Sequence, residues 1–267
     1  MSKPYVAAHG DHGDHGASCR FECLQTAEQR FSQDDDIAAL IIEPVQGHAG
    51  FIIPPKEFIF GLKNLCQEKG ILFIDDEIQV GMGRTGKFLA IEHHNIEPDI
   101  ILLSKSLAGG YYPLSAVIAR AEIWDRISPV ASGIGSTFVN SPWATRVALE
   151  VLSIIKEDRL LKNAEKTGAY FTERLKHLER FDCIDNVTGL GLTQSMAVVE
   201  SKETRQPAPD MAGKIQSEAL RQHMMVCCSG VERDRIKFVL PLWIDRRDID
   251  MIVSKLHGIV KSAVAST

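Results

Sequence analysis

The sequence lacks long apolar runs, an excess of positive charge and a regular cysteine framework. No run approaches the ~20 residues that a membrane-spanning helix needs, and residues 1–19 have no apolar core of the signal-peptide kind. The 30 Lys and Arg residues are outnumbered by 35 Asp and Glu residues, for a net charge of −5, so we predict no nucleic-acid and no membrane partner. The six cysteines are scattered or adjacent, which favours a reducing, cytoplasmic location.

What remains is the composition of an ordinary globular protein, with 45% hydrophobic and 24% charged residues over 267 positions. That length allows one large domain or two modest ones. We divide it into an irregular N-terminal segment (1–37), part of a larger α/β domain (38–157) and a small C-terminal α+β domain (158–267).

The N-terminal segment holds three histidines, His9, His12 and His15, close to Cys19 and Cys23. Imidazole and thiolate groups are zinc ligands, so a metal site is one interpretation of this cluster. The spacing matches no strong zinc pattern. We therefore predict a mobile His-rich loop and no metal site.

Three short apolar runs predict strands of a parallel sheet: Ala38–Ile42, Ile71–Ile74 and Ile100–Leu103. Between the first two, Pro55 is placed to open a helix and Gly70 to end it. A strand, a helix and a second strand in this order form a βαβ unit with parallel strands.

Charged residues follow the second and third runs, with Asp76 after one and Lys105 after the other. Ligands bind beyond the carboxyl ends of parallel strands, so we expect both side chains in one crevice. A lysine amine and a carboxylate are what pyridoxal phosphate uses, as Schiff-base partner and as partner of the pyridine nitrogen. The alternative is a pair of ordinary solvated charges at strand ends.

The C-terminal third predicts a strand near Ser195–Val199, a loop containing Pro207 and Pro209, and a helix from about Met211 to His223. Strands at Met224–Cys228 and Lys237–Leu240 follow. Asp245 is placed to cap a last helix, with Asp248 at the capping-box position.

Several ordered motifs together resemble the class III (subgroup II) pyridoxal-phosphate aminotransferases, of the 4-aminobutyrate and ornithine aminotransferase kind. They are Ile42-Glu43-Pro44-Val45-Gln46-Gly47, Asp76-Glu77-Ile78-Gln79-Val80-Gly81-Met82-Gly83-Arg84-Thr85-Gly86, and the block from Pro98 to Gly110. The resemblance implies a fold-type I transferase: an incomplete, mostly parallel large domain and a C-terminal α+β small domain. It also implies a homodimer with its active sites at the interface.

Position by position, the resemblance implies a site for pyridoxal 5′-phosphate. Lys105 is similar to the Schiff-base lysine that also moves the substrate proton, and Asp76 to the partner of the pyridine nitrogen. Gln79 resembles the residue that binds the phenolic oxygen, and Ile78 the apolar side chain under the ring. Thr137, in a predicted loop, resembles a hydroxyl that reaches the cofactor phosphate of the neighbouring subunit.

The resemblance also implies substrate contacts. Glu43 is similar to a glutamate that pairs with a substrate-binding arginine, and Lys237 stands where the family has the arginine that holds the substrate α-carboxylate. Lysine lacks the planar fork of arginine, so we expect weaker carboxylate binding, or a substitute in Arg233 or Arg235.

The chain resembles roughly the C-terminal two-thirds of such an enzyme, without the Gly-Ser-Glu-Ala type loop that holds the cofactor phosphate at a helix N-terminus and without the aromatic residue that stacks on the cofactor ring. We therefore expect an N-terminally truncated form. Three functions stay open: transamination between an amino acid, such as the ω-amino acid 4-aminobutyrate, and a 2-oxo acid; racemisation or epimerisation of an amino acid; and a non-catalytic chain.

Overall fold

The protein contains two four-stranded sheets, each covered by helices. The structure is a computed structural model, which describes residues 22–127, 137–139 and 141–266. The strands are β1 Ala39–Ile42, β2 Leu72–Asp76, β3 Ile100–Leu103, β4 Ala116–Ala119, β5 Ile184–Leu190, β6 Thr193–Val198, β7 Cys227–Ser229 and β8 Arg235–Val239. The helices are α1 Glu22–Gln33, α2 Lys56–Lys69, α3 Ala121–Ile127, α4 Pro142–Glu157, α5 Leu160–Lys176, α6 Pro209–Arg221 and α7 Arg246–Ala265. Short 3-10 helices cover Ala90–His94, Lys105–Ala108 and His177–Arg180.

The first sheet has the order β1-β2-β3-β4. The first three strands run parallel, and β4 lies antiparallel to β3 at the edge. The mostly parallel sheet is therefore confirmed, together with the three strands on which that prediction rested.

Helix α2 covers one face of this sheet, and its ends match the sequence signals. Pro55 is the N-cap, and Gly70 ends the helix in the left-handed region at φ 68°. Because glycine has no Cβ, this conformation costs it little.

The N-terminal prediction is wrong in part, because Glu22–Gln33 is a helix within the segment expected to be irregular. Phe31 is buried, and Leu24 and Ala27 pack against the same core cluster as the inner side of α2. Four-residue spacing of apolar side chains on a short, otherwise polar stretch carries this signal. His9, His12, His15 and Cys19 lie outside the described residues. Among the residues that the structure describes, no group of three or more His, Cys, Asp or Glu side chains could hold a metal ion.

The second sheet has the order β5-β6-β8-β7, with every pair antiparallel. Helices α5, α6 and α7 contribute to its apolar core. Two predictions need correction: β5 was missed, because Gly189 interrupts the apolar pattern, and Pro209 belongs to α6, where it stands in the first turn. There its missing N–H costs no hydrogen bond.

The predicted cap of the last helix is confirmed, since the Asp245 side chain accepts a hydrogen bond of 2.9 Å from the Asp248 N–H. The boundaries at residues 37/38 and 157/158 stay predictions. Of the described helices, none is both long and apolar enough to cross a membrane.

One buried carboxylate, that of Asp99, connects the first sheet to helix α2. Asp99 accepts hydrogen bonds from the Phe73 N–H on β2 at 2.8 Å and from the Lys63 amine on α2 at 3.0 Å. The Arg120 guanidinium lies 2.7 Å from its other oxygen. Burial favours a raised pKa for Asp99, but the N–H bond and the two cations outweigh it and lower the pKa.

We expect Asp99→Asn to lower the free energy of unfolding by about 3 kcal/mol, because it leaves the buried Lys63 amine without its counter-charge. Urea unfolding at pH 7 measures the difference. Glu68→Gln, on the exposed side of α2, is the matched control and should change the free energy by less than about 0.5 kcal/mol. Equal losses in the two variants would contradict this account of Asp99.

Candidate active site

Three predicted site residues lie at one edge of the first sheet, where its parallel strands end. Glu43 directly follows β1, Asp76 is the last residue of β2, and Lys105 begins the 3-10 helix that follows β3. The register pairs Ile42 with Asp75 and Asp76 with Leu102. The strand ends are therefore level, and Asp76 and Lys105 share one edge as the apolar runs predicted.

Lys105 stands on a strained backbone. Its φ is 39°, in the left-handed region that non-glycine residues rarely occupy. Such a conformation costs about 1–3 kcal/mol and is found mostly at functional sites. The side chain is exposed, and within the described part of the chain its amine makes no hydrogen bond or ion pair. The amine is therefore available to a ligand.

Asp76 is half-buried and held by the backbone that follows it. Its Oδ1 accepts a hydrogen bond of 3.0 Å from the Ile78 N–H, a local turn of the kind Asp favours. No described residue donates to its second oxygen. The carboxylate is thus fixed in orientation and keeps one oxygen for another partner.

Three of the predicted residues lie around Gly47. Its N–H donates to Glu43 Oε2 at 2.9 Å, and its carbonyl accepts from the Lys237 amine at 3.3 Å. A Cβ at Gly47 would overlap the side chain of Gln79. Any larger residue would displace Gln79 from the edge that carries Asp76.

Lys237 reaches this loop from β8 on the second sheet. Its amine lies 5.4 Å from the centre of the buried Phe51 ring, a cation–π contact. The proposed substitutes fare differently: Arg235 is buried and donates to the Asn186 carbonyl at 3.1 Å, whereas Arg233 is exposed. A buried guanidinium with protein partners is a structural group, so Arg235 does not replace Lys237.

No described contact connects Thr137 to the other predicted site residues. It lies in a described turn of three residues, 137–139, and is exposed. Most of the predicted loop around it, Ser132–Ser141, falls outside the described residues.

Sequence reasoning missed Arg84, which connects the two sheets beside the site. Its guanidinium is largely buried and donates to the Leu240 carbonyl at 2.8 Å and to Ser106 Oγ at 3.3 Å. Burial lowers the pKa of this group. Ser106 directly follows Lys105 and Leu240 directly follows β8, so Arg84 ties the lysine's 3-10 helix to the strand that carries Lys237.

The glycine-rich segment around Arg84 passes a helix of this chain. A Cβ at Gly83 would lie 2.7 Å from Leu161 Cδ2, and one at Gly86 would lie 3.1 Å from Glu165, both on α5. The glycines therefore allow a close approach between this segment and α5.

Sequence reasoning also missed the division of the three acids at the end of β2. Asp75 and Glu77 are fully buried, on the side of the strand opposite Asp76. Glu77 Oε1 accepts from the Ile91 N–H at 2.8 Å. Burial, then the Glu77 carboxylate and then Asp76 together raise the pKa of Asp75 to about 9. Two-residue alternation from the buried Phe73 was the signal available in the sequence.

We expect Arg84→Met to lower the free energy of unfolding by about 2–3 kcal/mol, because two charge-assisted hydrogen bonds are lost. Ser106→Ala removes one of these bonds and should cost about 1 kcal/mol. Urea unfolding measures both effects, and hydrogen exchange of the segment around Lys105 should be faster in Arg84→Met.

The control is Arg247→Met, on the exposed first turn of α7. It loses the same charge without a buried partner. The bridging role of Arg84 is wrong if the two methionine variants are equally stable.

The buried acid pair predicts a pH-dependent stability. The folded chain keeps a proton on Asp75 up to a pH of about 9, whereas an ordinary Asp releases it near pH 3.8. Stability therefore falls as the pH rises between these values, by up to ~1.4 kcal/mol per pH unit for one proton. Asp75→Asn should flatten this slope, because its amide donates to Glu77 without titrating.

Unfolding midpoints at pH 5, 7 and 8.5 would check this expectation, with the exposed Asp35→Asn as control. A slope that is the same in wild type and in Asp75→Asn would rule out the pair as its source.

The amino-acid sequence is similar to aminotransferases and to a racemase. The Aminotransferase class-III family profile covers residues 4–260. The leucine/methionine racemase of Thermococcus litoralis is 39% identical over 244 residues, which are 90% of this chain and 54% of that protein. The 5-aminovalerate aminotransferase DavT of Pseudomonas aeruginosa is 37% identical over 234 residues, 86% of this chain and 54% of that protein. The chain thus spans about half the length of these relatives.

The fold agrees with solved transaminases. The ω-transaminase from Pseudomonas jessenii, in complex with PMP, superimposes with a TM-score of 0.86 at 28% identity, over 91% of this chain and 55% of that one. The fold-type I architecture predicted from the motifs is therefore confirmed, and class III aminotransferases depend on pyridoxal phosphate. The match over nearly the whole sequence and the shared fold establish that this chain belongs to the class III aminotransferase family.

Proposed function

We propose that the protein transfers an amino group from an amino acid, plausibly an ω-amino acid, to a 2-oxo acid, with Lys105 as its catalytic residue. The observation that carries the proposal is the amine of Lys105, which has no partner among the described residues and stands on a strained backbone at the same sheet edge as Asp76. A nucleophilic amine and a fixed carboxylate are the two groups that pyridoxal phosphate requires from a protein.

The residues at this edge fit the cofactor. When bound, pyridoxal phosphate supplies an electron sink for the bonds at the substrate α-carbon. The free oxygen of Asp76 would face the pyridine nitrogen and keep it protonated. Gln79, seated against Gly47, would bind the phenolic oxygen, and Ile78 would support the ring from one side. Thr137 would contact the phosphate of a neighbouring subunit.

Lys105 would have two tasks. Its amine would hold the cofactor through the aldehyde carbon, and once displaced by substrate it would move a proton away from the substrate α-carbon. The strain at φ 39° supports this assignment, because it is maintained where the lysine must be presented to a ligand.

Lys237 and Glu43 would define the substrate end of the site. Both bind the peptide of Gly47, so a substrate carboxylate that attracts the Lys237 amine would compete with the Gly47 carbonyl. An ammonium is a point charge, and it would bind the carboxylate with less directional preference than an arginine fork. An ω-amino acid substrate is suggested by the 5-aminovalerate aminotransferase among the relatives.

Racemisation is the second candidate, and the 39% identical leucine/methionine racemase is the observation that favours it. Both reactions need the same lysine and the same aspartate. They differ in where the proton returns: in racemisation Lys105 or a second group would return it to the opposite face of the α-carbon.

The proposal includes a cytoplasmic homodimer with its active sites at the interface. Its support is the exposed apolar side chains that α4 carries, Trp143, Leu149 and Ile154, since exposed apolar surface marks association sites.

The test is borohydride reduction of the purified protein with pyridoxal phosphate, followed by peptide mass mapping. We expect the cofactor mass on the peptide that contains Lys105, and its absence from that peptide in Lys105→Ala. Lys166→Ala, an exposed lysine on α5, is the matched control and should label as wild type does. Labelling of other lysines alone would refute the assignment.

Product analysis with 5-aminovalerate, ornithine or leucine as donor and 2-oxoglutarate as acceptor then separates the reactions. An oxo product together with glutamate indicates transamination, and the opposite enantiomer of leucine indicates racemisation. Lys105→Ala should lower either rate by at least about 10³-fold. Labelling at Lys105 without either product would mean a chain that binds the cofactor and does not catalyse.

A further inference from the structure

A cavity lies on the helices that cover the second sheet, and no predicted site residue lines it. Its volume is about 530 Å³, large enough for a small metabolite. The lining residues come from the end of α5, the 3-10 helix that follows it and the middle of α7: Arg174, Lys176, His177, Leu178, Arg180, Val253, Ser254 and His257.

Basic side chains dominate this lining. Arg174, Lys176, His177, Arg180 and His257 carry cationic or titratable nitrogens, Ser254 adds a hydroxyl, and no carboxylate is among the lining residues. The whole chain has a net charge of −5. The cavity is therefore a local region of positive charge on a protein whose overall charge is negative.

Helix electrostatics explain part of the cluster. Arg174 and Lys176 lie in the last turn of α5, where cations complement the helix dipole. Arg180 and His257 lie beyond that helix, and Lys261, four residues after His257, adds to the charge. Burial, then Arg180 and then Lys261, lowers the pKa of His257, so its ring binds a proton less readily in the free protein.

Three acids near the cavity have partners within the protein. Glu179 accepts from the Val187 N–H at 2.9 Å, and Asp182 from the Lys202 N–H at 3.2 Å. Asp250 accepts from the Tyr170 hydroxyl at 2.7 Å and lies 2.9 Å from Arg174 Nε. Among the lining cations, Arg174 pairs with the carboxylate of Asp250. Arg180 instead contacts the aromatic ring of Phe181.

Phe181 holds two of the nitrogen groups side by side. The Arg180 guanidinium carbon lies 5.5 Å from the centre of its ring, and the His257 ring centre lies 5.1 Å from it. Stacking on an aromatic ring restricts a guanidinium and so lowers the entropy that it loses on binding a ligand.

We propose that this cavity binds a small multivalent oxyanion, a molecule with two or more phosphate or carboxylate groups. Guanidinium forks match both groups bidentately. An anion here would offset the positive charge of Lys176 and Arg180, which come from α5 and from the 3-10 helix that follows it. The site is separate from Lys105 and its edge of the first sheet.

The test is isothermal titration calorimetry of the full chain at low ionic strength, with inorganic triphosphate and citrate as probes. Lys176→Ala/Arg180→Ala removes two cations from the cavity. Lys56→Ala/Lys69→Ala, at the two exposed ends of α2, removes two cations elsewhere and is the matched control. We expect the first double variant to weaken binding at least tenfold and the control to bind as wild type does.

The two probes distinguish the sources, because triphosphate binding alone indicates a phosphate ligand and citrate binding alone a carboxylate ligand. Thermal unfolding of each variant checks its folding. If the first double variant is unfolded, Lys176→Ala/His177→Ala, both exposed, replaces it. Absence of binding by either probe, or equal binding by the cavity and control variants, overturns the proposal.

Discussion

Parallel pairing of β1, β2 and β3 is the constraint on which the candidate site depends. Parallel strands end at the same edge of a sheet, so the residues that follow them meet although long stretches of chain separate them. Glu43, Asp76 and Lys105 come from three such ends. Asp99 supports the arrangement from below, since its carboxylate binds β2, α2 and the residue that follows β4.

A second connection runs between the two sheets. Gly47 receives Glu43 from the first sheet and Lys237 from the second, and Arg84 joins the residue after Lys105 to the end of β8. A displacement of the second sheet would therefore be felt at both Lys105 and the substrate end of the site. We infer that the position of the second sheet and the presentation of the lysine are energetically coupled.

Much of the fold was predictable where local sequence signals agreed with one another. Apolar runs marked β1, β2 and β3, Pro55 and Gly70 marked the ends of α2, and Asp245 marked the start of α7. Helix α1 and strand β5 were missed, because a short amphipathic stretch and a glycine-interrupted strand carry weak periodicity. Tertiary packing against α2 and pairing with β6 stabilise them.

The sequence by itself determined the family, through ordered motifs at their spacing, and singled out Lys105 and Asp76 as candidates. It also placed both residues at strand ends, because the change from apolar to charged residues is a local signal. The tertiary structure alone decided that Arg235 is buried while Lys237 reaches Gly47, and that Arg84 spans to Leu240. These contacts join residues as many as 190 positions apart. No local pattern specifies such contacts, because they depend on how two separately patterned sheets pack together.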